Sequence, residues 1–194
     1  GGPYQMPPQQ VVLGHGSDEI IDLLLKALCT PGRDAVLTFG PTYGMYQVAA
    51  AVHGALWREL PLNEAFDLDE ATVARALRLP EAKVLFLCSP NNPTGNTLSE
   101  RWINHLLAHF PGVVVIDEAY ADFSTQPSWR RAVARHPRLV VMGTLSKAWG
   151  LAGARVGWAF GQMWLIRALE KIKPPYNVSG PNQSRALARL AEPD

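Results

Sequence analysis

Four short stretches of this sequence combine residue types that can do chemistry. Lys147, within TLSKAWGLAGARVG at 144–157, is one of only five lysines and follows an apolar run, with Thr144 and Ser146 before it and Arg155 eight residues on. A point charge is disfavoured there, so the position suits a lysine that reacts as an amine; a solvated surface charge is the plain alternative. In VVVIDEAY, 113–120, an apolar run ends on Asp117 and Glu118 and then Tyr120. A carboxylate at the end of a buried strand is costly without a cation or strong donor, so Asp117 is expected to face a positive partner, unless it serves as an N-cap or structural ion pair. CSPNNPTG, 88–95, is either an ordinary Pro/Asn turn or a rigid loop that presents amide donors at a strand's carboxyl end. GHGSDE, 14–19, has two glycines that let a strand turn so that the first amides of the next helix point at an anion. It lacks both the P-loop spacing and the third glycine of a dinucleotide fingerprint.

These residues need a frame to bring them together. Seven β-rich runs are predicted, at 11–14, 35–39, 55–60, 83–88, 113–117, 139–145 and 155–161. Several are continuously apolar, as in strands covered on both faces. Helical patterns lie between them at 17–29, with Ser17 as cap, and at 43–53, 69–79, capped by Asp69, 99–110, opened by Ser99, and 162–172. The alternation predicts an α/β fold, a three-layer α/β/α sandwich around a mostly parallel seven-stranded sheet.

Composition narrows the function. Apolar residues make up 47% of the 194 and charged residues 18%, a globular balance. The net charge of +1 is far short of the basic excess that phosphate-backbone binding needs, so no nucleic-acid partner is expected. No apolar run reaches the roughly 18 residues that span a bilayer, and GGPYQMPPQQ has no signal-peptide pattern, so no membrane partner and a cytoplasmic location are expected. Cys29 and Cys88 read as small buried thiols. His105 and His109 are four apart on a predicted helix without an acid between them, and no metal is expected.

In order and spacing, GSDE, PTYGMY at 41–46, SPNNPTG at 89–95, DEAY at 117–120 and LSKAWGLAGARVG at 145–157 resemble the fold-type I pyridoxal-phosphate aminotransferases. The run GSDEIIDLLLKALCTPGRDAVL with PTYGMYQVAA is most similar to the histidinol-phosphate aminotransferase branch. The resemblance implies pyridoxal 5'-phosphate as cofactor, with Lys147 joined to its aldehyde and then moving a proton. Burial and nearby cationic charge are expected to favour the amine form of Lys147. Asp117 would meet the pyridine nitrogen, Tyr120 and Asn92 the phenolic oxygen, and Tyr43 the ring face. The phosphate would be held by the amides of Ser17 and Asp18, the Ser146 hydroxyl and Arg155, with the Asp18 carboxylate turned away. By the same resemblance residues 11–194 form the cofactor-binding large domain. Residues 1–10 match poorly where the family has an N-terminal arm, and the smaller C-terminal domain lies outside the chain.

The implied partners are a small-molecule amino donor and a 2-oxo acid, histidinol phosphate and 2-oxoglutarate in histidine biosynthesis, in a homodimer. Another amino-acid aminotransferase, a threonine-phosphate decarboxylase and a non-catalytic cofactor-binding fragment stand as alternatives. The Asn92–Pro93 bond is expected to be cis, as in relatives.

Overall fold

A computed structural model describes residues 6–192. All seven predicted strands form: β1 (Val11–His15), β2 (Ala35–Gly40), β3 (Leu56–Pro61), β4 (Ala82–Cys88), β5 (Val113–Asp117), β6 (Leu139–Thr144) and β7 (Val156–Phe160). They make one sheet in the order β1-β7-β6-β5-β4-β2-β3. Strands β3, β2, β4, β5 and β6 run parallel, and β7 is antiparallel to both β6 and β1.

The helices are α1 (Gly16–Leu28), α2 (Met45–His53), α3 (Glu70–Ala76), α4 (Glu100–His109), α5 (Met163–Ile172) and α6 (Gly180–Ala191). Strand side chains alternate between faces, so Val84 and Phe86 of β4 pack in one core with Ile20, Leu24, Tyr46 and Leu165 of α1, α2 and α5. Leu85 and Leu87 pack in the other, with Val73 of α3 and Ile103 and Leu106 of α4. Both faces are thus covered, which is why these strands read as apolar runs rather than alternating ones.

Helix α1 starts one residue earlier than predicted, and its cap is not Ser17. His15 is the N-cap residue, and its N–H donates to Glu19 Oε2 at 2.6 Å, so a carboxylate inside the first turn satisfies the backbone just outside it. Asp69 does cap α3, accepting from the Thr72 N–H at 2.8 Å. Ser99 is the N-cap of α4 without a side-chain bond. Helix α6 was not foreseen.

Register sets where the loops converge. Cys88 lies opposite Asp117, Asp117 opposite Met142, Thr144 opposite Gly157, and Gly157 opposite Gly14. The carboxyl ends of β1, β4, β5 and β6 therefore share one edge of the sheet with the amino end of β7. Open α/β sheets bind ligands at this edge.

Candidate active site

The tightest part of that edge is the crossing of β7 and the start of α1. A Cβ on Gly157 would lie 2.3 Å from the Gly16 carbonyl carbon and 2.5 Å from Ser17 N, and backbone cannot swing aside as a side chain can. Gly157→Ala is expected to lower stability by about 2–3 kcal/mol, at the upper end for overpacking. Gly153→Ala, where a Cβ meets nothing within 4 Å, is the matched control and should change little. Denaturant midpoints compare the two, and an equal response would contradict this packing.

Gly16, at φ +75°, adopts the left-handed backbone, and a Cβ there would fall 2.5 Å from a terminal nitrogen of Arg155. The Gly16 N–H donates to the Arg155 carbonyl at 2.9 Å, stitching this loop to the helix start. The N–H groups of Ser17 and Asp18 belong to the first turn of α1, where the helix supplies no acceptor. Ser146 joins from the end of β6, its hydroxyl 2.9 Å from that of Thr144. A guanidinium, first-turn amides and a hydroxyl make a donor set for a compact anion.

Asp18 departs from expectation. Its carboxylate does not turn away: Oδ2 accepts from Arg155 at 3.1 Å and Oδ1 from the Tyr43 hydroxyl at 3.1 Å. Both side chains of the ion pair are 37% exposed, so it is worth only about 0–1 kcal/mol, which an incoming dianion can overcome. Burial, followed by the Asp18 charge, pushes the Tyr43 phenol up to about 12, so it stays a hydrogen-bond donor at neutral pH.

Asp117, 2% exposed, ends β5. No salt bridge to it is seen among the described residues, and its contacts there are a hydroxyl and a backbone amide. Its Oδ2 accepts from the Tyr46 hydroxyl at 2.7 Å and its Oδ1 from the Ala119 N–H at 3.0 Å. Burial raises its pKa; the two hydrogen bonds and the charge of Lys147 oppose that rise, while Asp18 adds to it. Neighbouring Glu118 is also raised by burial, and it is satisfied by the Ser128 hydroxyl and the Trp129 N–H, both at 2.6 Å. Glu118 belongs to an adjacent cavity of about 410 Å³ that contains none of the predicted site residues.

Lys147 stands in the turn after β6, its Nζ 5.3 Å from the centre of the Tyr120 ring. It is exposed rather than buried, on a turn between Leu145 and Ala154, which both return to one apolar cluster. Asn92 and Tyr120 line one cleft of about 550 Å³ with Pro93, Gly95 and Phe123. The Asn92–Pro93 bond is cis, as expected. Asn91, buried in the same loop, donates to the Pro41 carbonyl at 2.9 Å and to Thr94 Oγ1 at 2.8 Å, and accepts from the Thr42 hydroxyl at 2.9 Å. It ties the PTYGMY and SPNNPTG segments together.

The sequence model of the family described as aminotransferase class I and II matches residues 4–194. The chain belongs to that family. A curated histidinol-phosphate aminotransferase of Parabacteroides distasonis is 50% identical over 180 residues, 93% of this chain and 52% of that protein. The one from Flavobacterium johnsoniae is 46% identical over 185 residues, 95% of this chain and 53% of its own length. The solved histidinol-phosphate aminotransferase from Sinorhizobium meliloti, in complex with pyridoxal-5'-phosphate, is 25% identical with a TM-score of 0.88 over 97% of this chain and 52% of that one. This aminotransferase chain therefore spans about half the length of the curated relatives it matches.

Within the aminotransferase fold the predicted site residues fall into two linked groups. Asp18, Tyr43 and Arg155 touch directly; Ser17 and Ser146 border them in sequence and on the sheet edge. Asp117, Tyr120 and Lys147 form the second group with Asn92, which shares the Tyr120 cleft, and Tyr43 joins the two, since its phenol senses both Asp18 and Asp117. Tyr46 and Asn91 were missed. Tyr46 stands three residues after Tyr43 in PTYGMY, and nothing local tells that its hydroxyl ends on a residue 71 positions away.

The two thiols are buried as expected, with burial raising Cys29 to about 11 and Cys88 to about 12, so both are inert at neutral pH. The rings of His105 and His109 stack at 4.3 Å, and the described residues contain no group of three metal-ligating side chains. No helix of the described chain is long and apolar enough to cross a membrane.

Proposed function

We propose that this chain is the cofactor-binding large domain, residues 11–194, of a histidinol-phosphate aminotransferase that uses pyridoxal 5'-phosphate. The observation that carries the reading is the meeting at one sheet edge of an anion cradle, a buried carboxylate and an exposed lysine. The names of the curated relatives support the choice of branch. The residues present suit the cofactor chemically. The cradle at Gly16 has room only because no Cβ stands beside Arg155, and Asp117 is a buried carboxylate held by one hydroxyl and one backbone amide.

In this reading Arg155, the Ser146 hydroxyl and the amides of Ser17 and Asp18 hold the phosphate, while the Asp18 side chain leaves Arg155 to it. Tyr43 covers the ring face, Tyr120 and Asn92 donate to the phenolic oxygen, and Asp117 accepts from the protonated ring nitrogen. Pyridoxal phosphate, when bound, supplies an aldehyde that takes up amino groups and a ring that accepts the electron pair released at the substrate's Cα. Lys147 would hold that aldehyde through Nζ, and its free amine would serve as the acid–base group that takes up a proton at the substrate's Cα. The exposure of Lys147 leaves Nζ able to reach outward from the turn, and the nearby Tyr120 ring limits its sweep.

The substrates of the reading are histidinol phosphate and 2-oxoglutarate, and the working unit is a cytoplasmic homodimer. Absorbance titration of the chain with pyridoxal phosphate tests the cofactor assignment: a saturable band that borohydride bleaches is expected, and none would refute it. A substrate screen and sedimentation of a version extended to the relatives' length test the rest, which preference for another amino donor, or a monomer, would contradict.

A further inference from the structure

Tyr46 is fully buried, and its ring fits a tight slot. It stacks on Phe86 at 4.6 Å between centroids, with an interplanar angle of 11°, and meets Tyr43 edge-on at 5.5 Å. A phenylalanine would fill the same space, and a buried hydroxyl costs free energy unless it is hydrogen-bonded. The Tyr46 hydroxyl lies 2.7 Å from Asp117 Oδ2. The other oxygen of that carboxylate takes the Ala119 N–H. One fixed donor on each oxygen pins the carboxylate plane and leaves each oxygen a lone pair for a further donor.

We propose that Tyr46 is the positioning residue of Asp117, its hydroxyl fixing the plane of the carboxylate and holding it as an acceptor for a protonated ring nitrogen. The second half of that statement rests on the reading of Asp117 given above; the first half stands on the empty chain alone. The groups that face Asp117 come from every neighbouring element: Tyr43 just before α2, Tyr46 of α2, Cys88 of β4, Asp18 of α1, the adjacent Glu118, and Lys147 after β6. Burial and the acidic neighbours disfavour the charged carboxylate. Tyr46, the Ala119 N–H and Lys147 favour it, and of these three Tyr46 acts most strongly.

The test follows Asp117 itself. In chain labelled with carbon-13 at the aspartate carboxyls, the Asp117 resonance is identified by its loss in Asp117→Asn and followed against pH without cofactor. Tyr46→Phe is expected to raise the midpoint by about one pH unit, a tenfold gain in proton affinity. Phe86→Leu removes the stacking but leaves the hydroxyl, and should lower the melting temperature without moving the midpoint. A role in packing alone predicts the reverse pattern, with Tyr46→Phe leaving the Asp117 midpoint where it is, and that result would overturn the proposal. Should Tyr46→Phe not fold, 3-fluorotyrosine at position 46, a stronger donor of nearly the same shape, decides the matter. It should lower the midpoint, and an unchanged midpoint would overturn the proposal. Because no cofactor is present, failure here is separable from failure of the cofactor titration.

Discussion

Lys147→Ala is expected to lower transamination at least about 10⁴-fold, the upper range for removing a general acid–base group, with loss of covalent capture acting in the same direction. The fold should be untouched. Lys147 is exposed, and its ring contact with Tyr120, at 5.3 Å, is worth about 0.5–1 kcal/mol at such a site. Initial rates in a version extended to the relatives' length, beside melting curves of the 194-residue chain, separate the two effects. The rate should collapse while the melting temperature stays put; a rate within tenfold of the parent would remove Lys147 from the chemistry.

Asp117→Asn is the second large effect, and here rate and stability should part in opposite directions. An amide cannot hold a ring nitrogen protonated, so the rate is expected to fall by about 10²–10⁴-fold. Stability follows from the sign of the shift. The folded chain raises the Asp117 pKa, chiefly by burial, so its contribution to stability is fully present below the unfolded value and is lost as pH rises through the folded value. At neutral pH the charged carboxylate therefore weighs against folding, and the neutral amide removes that cost. The Tyr46 hydroxyl can rotate to accept from the new amide while the Ala119 N–H keeps its oxygen. The variant should melt at or above the parent temperature at neutral pH and lose that advantage in acid. A variant that melts well below the parent at neutral pH, or turns over at the parent's rate, would contradict this account of Asp117.

How far the sequence carries the fold depends on where each signal is stored. Strands β4, β5 and β6 were legible because burial on both faces forces unbroken apolar runs. The span of helix α1 was legible, since Ile20 and Leu24 on one face are buried, but its start was not. The cap depends on Glu19 reaching back to His15, a side-chain contact onto the backbone four residues earlier. Helix α6 escaped because only Ala186 among its residues is buried, leaving a weak apolar stripe behind Pro181.

The site was legible by motif and illegible by partner. Local runs flagged Asp117, Lys147 and Arg155, but not that Asp117 takes the Tyr46 hydroxyl or that Lys147 lies exposed. Asp18 turned onto Arg155 and Tyr43. Each difference is a tertiary contact between elements tens of residues apart, which no local spacing encodes.

In the proposed function the sheet edge offers Lys147 to the cofactor aldehyde, and borohydride trapping reads that attachment on the chain itself. The 194-residue chain, equilibrated with pyridoxal phosphate, is reduced with borohydride, digested, and its labelled peptide sequenced. The expected result is a single pyridoxyl group on Lys147, within the segment 144–157. A label on Lys26, Lys83, Lys171 or Lys173, or on no lysine, would contradict the account.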